Sequence, residues 1–291
     1  MDWTHEHSWK LEAAPEQVFA ALTEPAQLNQ WFAERTDIEL RPGGNYRFWG
    51  KHTLGSPGEE NARQRITRVE PNRVLDFSWT IYDVPTEVSI ALASDGEGTR
   101  LTLHHEIRGD LDLPRPKELI DDHWRLSFGN LTAYLGHGIG LLLPDYTDAS
   151  PEIRMKITID APRESVFQAL IQPEIVNQWF GSKSAVVDPR PGGRYDLSWK
   201  YKVDGKDVVG GPTRILEIVP NEKLVLDWLD WRGDKSITGQ TISFFLKSVG
   251  SSTEVTFVHA GFSRTTDIGD YGFGWPYFLG LLVEAVTPAP K

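Results

Sequence analysis

Two spacings of apolar residues, that of a strand and that of a helix, alternate along this chain in the same order twice. From Glu152 to Ile159 the apolar residues Ile153, Met155, Ile157 and Ile159 fall at every second position, which predicts a half-buried strand, and His5 to Leu11 fits a strand in the earlier part. From Val74, the residues Leu75, Phe77, Trp79 and Ile81 share one face, with Asp76, Ser78 and Thr80 on the other. A later strand from Thr99 puts Leu101, Leu103, His105 and Ile107 on one face, and its copy puts Val255, Phe257, His259 and Gly261 there. Both histidines therefore point with the apolar set. Between Pro116 and Leu135, Trp124, Phe128, Leu131 and Leu135 follow helical spacing, and Trp275 to Val286 reads as a second closing helix.

The recurrence extends to rare residues. Ala14-Pro15-Glu16-Gln17-Val18-Phe19 returns as Ala161-Pro162-Arg163-Glu164-Ser165-Val166-Phe167 with one residue inserted. Asn29-Gln30-Trp31-Phe32 returns as Asn177-Gln178-Trp179-Phe180, and Pro42-Gly43-Gly44 as Pro191-Gly192-Gly193. His105 falls on His259 and Trp124 on Trp275. Such an ordered set indicates a tandem duplication. Pro15 and Pro162 suit the first turn of a helix, where no N–H is needed, while Pro25 and Pro173 stop that helix and open another. The polar, proline-bracketed stretch from Leu143 to Pro151 places the boundary, giving domains at 1–146 and 151–291.

Composition narrows the function classes. The chain has 291 residues, no cysteine and a net charge of −11, so thiolate chemistry and disulfides are absent, and a dense basic face for nucleic acid is not expected. The acidity is uneven, with 14 basic against 24 acidic residues in 1–150 and 16 against 17 beyond. No long apolar run and no leader-like start are present, so we expect a cytoplasmic protein without a membrane span.

The motifs from Ala161 to Phe167, Trp179-Phe180, Pro191 to Tyr195, Ile218 to Leu224 and Thr253 to His259 resemble the activator-of-Hsp90-ATPase-like (AHSA1-like) domains of the START/Bet v 1-type SRPBCC superfamily, and the resemblance covers nearly the whole chain. It implies an α+β fold of two tandem helix-grip domains, each a curved antiparallel sheet of about seven strands wrapped around a long C-terminal helix, with two short helices. It also implies binding of an apolar or aromatic small molecule between sheet and helix, for sequestration or transport. Cyclase- or isomerase-type chemistry, or an Hsp90-linked protein-interaction role, are the alternatives the same family offers.

The candidate ligand-binding residues are Phe77, Trp79, His105, Trp124 and Phe128 in the first repeat and Leu226, Trp228, Phe257, His259 and Trp275 in the second. Each also reads as plain core. The second repeat is expected to hold the larger cavity, because Leu226 and Leu197 replace Phe77 and Phe48, and Gly261 stands where the first repeat has Ile107. No catalytic set, cofactor or metal site is expected. His5 and His7 alternate on a strand, but two ligands are too few for a metal, and they read as a surface pair. The Pro-Gly-Gly segments lack a following Lys-Ser/Thr and read as turns, and Gly136-His137-Gly138-Ile139-Gly140 does not fit a dinucleotide loop. Asp121 and Asp122 read as a solvated face.

Overall fold

The computed structural model describes residues 2–55, 58–113, 115–136, 140–203, 205–232, 237–263 and 267–287. Parts of the 136–140 motif, of the Gly50–Ala62 segment and of the Trp231–Gln240 insertion lie outside these residues. The chain forms two compact units that divide between Asp148 and Ala149, with the stretch ending at Phe273 grouped with the first.

The first half runs β1 (Trp3–Leu11), α1 (Pro15–Thr23), α2 (Pro25–Trp31), β2 (Arg35–Ile38), β3 (Tyr46–Trp49), β4 (Arg65–Glu70), β5 (Val74–Ile81), β6 (Val84–Asp95), β7 (Gly98–Ile107) and α3 (Pro116–Tyr134). The second runs β8 (Ile153–Ile159), α4 (Arg163–Ile171), α5 (Pro173–Trp179), β9 (Val186–Val187), β10 (Tyr195–Asp196), β11 (Lys200–Val203), β12 (Lys206–Val209), β13 (Ile215–Val219), β14 (Lys223–Trp228), β15 (Gln240–Val249), β16 (Ser252–Ala260) and α6 (Ile268–Val286). Each half has an antiparallel five-stranded sheet, ordered β1-β7-β6-β5-β4 in the first and β13-β14-β15-β16-β8 in the second. The remaining strands pair as β2-β3, β9-β10 and β11-β12. The seven strands implied by the family thus appear in the first half as five and two, and the second adds the β11–β12 hairpin.

Matched bonds hold both halves in one geometry. Trp31 donates to Ala21 O at 3.0 Å and Trp179 to Ala169 O at 2.9 Å, tying each second short helix to the first. The Tyr46 hydroxyl donates to Leu22 O and that of Tyr195 to Leu170 O, and burial pushes both phenols above their ordinary pKa. Thr99 bonds Ala13 O and Thr253 bonds Ala161 O, clamping the start of each last strand. The Pro-Gly-Gly segments are turns in both halves. Gly43 and Gly192 have φ of +74° and +75°, and a Cβ on Gly44 or Gly193 would lie 2.1 Å from the carbonyl oxygen of Glu39 or Asp188. Even the register shift recurs, between Ile66 and Arg68 and between Ile215 and Glu217.

Two boundaries differ from the sequence pattern. Pro162 is an N-cap, so α4 begins at Arg163, whereas Pro15 does open α1. Helix α6 begins at Ile268, seven residues before Trp275, and carries Pro276 inside it.

Candidate functional site

The concave face of each sheet is built by strand parity. In the first half, β5 supplies Phe77 and Trp79, β7 supplies His105, and α3 lays Trp124 and Phe128 over them; all five are buried. Trp79 and His105 stack at 5.8 Å with their planes 7° apart, and Trp124 meets both rings edge-on. Phe128 stacks on Trp124 at 5.4 Å and faces β1 through Trp9 and His7. In the second half, Leu226, Trp228, Phe257, His259 and Trp275 are likewise buried. Trp275 lies 4.3 Å from Phe257 and 5.2 Å from Trp228.

One hydrogen bond is built twice across this face. The indole of Trp124 donates to His105 Nδ1 at 2.9 Å, and that of Trp275 donates to His259 Nδ1 at 3.1 Å. An indole nitrogen can only donate, so each Nδ1 accepts and carries no proton. Desolvation pushes His105 down to about 3, with His123 and His5 adding to the effect, and pushes His259 well below its ordinary value, so both imidazoles are neutral near pH 7. The proton of each therefore sits on Nε2, the tautomer fixed by the helix tryptophan. In the first half, His105 Nε2 and the indole nitrogen of Trp79 are buried without a hydrogen-bond partner. Two donors thus face an aromatic interior with nothing to accept from them, an arrangement that costs free energy unless a ligand completes it.

Several contributors were not singled out in the sequence. His123, also pushed down to about 3 by burial, sits between Trp79 and Trp124 at 5.5 and 5.4 Å. Phe32, half-buried just past α2, stacks on Trp124 at 6.3 Å and meets Phe48 at 5.2 Å. In the second half Trp199 joins Phe180, Trp228 and Phe278. The repeated Trp-Phe pair was the available signal for Phe32 and Phe180; helical spacing one residue from Trp124 gave none for His123.

Two expectations need correction. Gly261 lies outside β16, and a Cβ there would meet Gly239 O at 2.5 Å, so it is a close backbone approach and not an opening in the inner face. Phe262 instead covers His259 at 4.5 Å. One small space in the first half, beside Phe32, His123 and Tyr146, is about 10 Å³, room for one water. A groove of about 420 Å³ lies on the opposite, polar face of that sheet, lined by Asp76, Glu87, Ser89, His104 and Arg108 among others. Finally, His5 and His7 are not a surface pair. They are half-buried on the inner face, where burial lowers both pKa values despite Asp121 nearby, and each Nε2 is buried without a hydrogen-bond partner.

Two antiparallel sheets, each facing a long helix through a buried Trp–His bond, define a tandem scaffold of the helix-grip type. The sequence pattern described as activator of Hsp90 ATPase homolog 1-like protein matches residues 12–136 and again 160–287, and the chain belongs to that family. Among solved structures it is similar to DynU16, a protein of the dynemicin biosynthetic locus, at 18% identity over 98% of this chain and 99% of that one, with a TM-score of 0.40. It is also similar to CalU16 from Micromonospora echinospora (26% identity, 46% of this chain and 75% of that one, TM-score 0.37) and to the Aha1 dimer from Colwellia psychrerythraea (24%, 46% and 95%, TM-score 0.38). No curated protein matches the chain. Among the described residues no helix is long and apolar enough to cross a membrane.

Proposed function

We propose that the first half binds a flat, largely apolar molecule bearing an acceptor oxygen, held between sheet and α3, and that the protein sequesters or carries it. The observation that supports this reading is the pair of buried, unanswered donors, His105 Nε2 and Trp79 Nε1, among aromatic rings. Rings supply contact area, and a single carbonyl or phenolic oxygen supplies direction. The space beside Phe32, His123 and Tyr146 is about 10 Å³, so entry there requires a side chain to move. Phe32 is the suitable one, being only half-buried and set just past α2. In this reading the two units serve as separate domains, 1–146 and 151–291, with the Trp228–His259–Trp275 group as the second site.

The test is titration of the protein with flat aromatic ketones and with the hydrocarbons of the same outline, read by tryptophan quenching. The ketones should bind at least about tenfold more tightly, the ratio that one hydrogen bond of about 1.4 kcal/mol supplies. His105→Phe should reduce the preference. Equal affinities for both series, or no saturable quenching, would sink the proposal and favour a protein-interaction role.

A further inference from the structure

Strand β1 carries His5 and His7 on the face that α3 covers, and α3 places Asp121 against them. His5 Nε2 lies 3.7 Å from Asp121 Oδ1. One ligating atom from each of the three residues falls within 4.8 Å of the other two. We propose that His5, His7 and Asp121 form a binding site for a first-row divalent transition-metal ion, with the ion held by the two imidazoles and one carboxylate oxygen.

The chemistry of the donor set fits. Two neutral imidazoles and a carboxylate suit zinc, cobalt or iron in the divalent state and leave at least one coordination position open. Bonds of about 2.0–2.2 Å from one ion hold its ligand atoms roughly 3–3.5 Å apart, so the observed spacing closes by small side-chain rotations. Both Nε2 atoms are buried and lack a hydrogen-bond partner, so the imidazoles are not occupied in holding the fold through those atoms. Asp121 is turned by Arg125, whose Nη1 lies 3.5 Å from Oδ2, which leaves Oδ1 toward His5. Arg125 is partly exposed.

The second half is a built-in control. His5 pairs with His105 across the β1–β7 ladder, and the matching partner of His259 is Ile153; His7 pairs with Leu103, and the matching partner of Phe257 is Met155. The same strand positions thus carry apolar residues in one half and a ligand pair in the other. A core histidine kept only for packing gives no reason for two in succession beside a carboxylate.

Tag-free protein stripped with a chelator would be titrated with Co²⁺, followed by its visible absorption bands, and with Zn²⁺ by calorimetry. One ion per chain should bind. His5→Ile with His7→Met, the residues the second half already tolerates, should abolish saturable binding, and Asp121→Asn, on a partly exposed side chain, should weaken it by at least about tenfold. His104→Ala, which removes the exposed imidazole beside Glu6, should change the affinity less than twofold. Absence of saturable binding, or binding lost with His104→Ala and kept in the His5→Ile, His7→Met protein, would overturn the assignment.

Discussion

At matched positions of their edge strands the first half places His5, His7 and Trp9 inward, whereas the second places Ile153, Met155 and Ile157. Around them the framework hardly changes: the Trp-to-carbonyl, Tyr-to-carbonyl, Thr-to-carbonyl and Trp-to-His bonds all recur. Repeated bonds specify the fold, and the face that differs carries whatever separates the two halves in function. A functional search therefore belongs where the repeats disagree in chemistry while agreeing in backbone.

The most forceful way to break this equivalence is to remove the closing tryptophans. Trp124→Ala and Trp275→Ala should each cost about 3–5 kcal/mol, from lost burial and the stranded imidazole acceptor beneath. Denaturant unfolding followed by hydrogen exchange in each half would measure both, and losses differing by more than about 2 kcal/mol would show that the two closures are not equivalent.

Acid should then separate the halves. Below pH 6.5 the unfolded chain takes up protons that the buried imidazoles refuse, so stability falls as pH falls, by about 1.4 kcal/mol per pH unit for each fully buried histidine. The first half has two such groups, His105 and His123, both pushed down to about 3, where the second has His259, and the half-buried His5 and His7, also lowered by burial, add to the first half's loss. Between pH 6.5 and about 4.5, above most carboxylate titration, the first half should lose at least about twice as much stability. His123→Phe should narrow the gap. Hydrogen exchange against pH would decide it, and parallel loss in both halves would refute the expectation.

The smallest effects sharpen the shared framework. Tyr46→Phe and Tyr195→Phe each remove one buried hydroxyl bonded to a carbonyl at the end of the first helix, and each should cost about 1 kcal/mol. Values matched within error in the two halves would support a common clamp, and a neutral effect in one would show that half has relaxed.

Much of the fold was legible because strand parity and repetition act locally. The alternation of Leu75, Phe77, Trp79 and Ile81 identified the buried face of β5, and the same reasoning placed both inward histidines. The start of α6 was hidden because Gly269, Gly272, Gly274 and Pro276 all disfavour helix in isolation, and their cost is overridden by packing that buries residues such as Ile268, Tyr271 and Trp275. Gly261 was misplaced because periodicity cannot show where a ladder stops. The grouping of His5 and His7 with Asp121 was illegible for a different reason. It joins a strand at the start of the chain to a helix that follows seven strands, and only the folded topology brings them together.

The strand-to-helix bond from Trp124 to His105 also restricts the mutational paths open to this protein. Changing the tryptophan alone strands a buried acceptor, and changing the histidine alone strands a buried indole donor, so either first step is costly, while an apolar pair replacing both is close to neutral. The two residues are thus separated from that alternative by a fitness valley a single substitution deep, on each side. Because Trp275 and His259 stand in the same relation, the duplicated chain faces that valley twice, and each copy can cross it only by a double change or through a background stable enough to survive the intermediate.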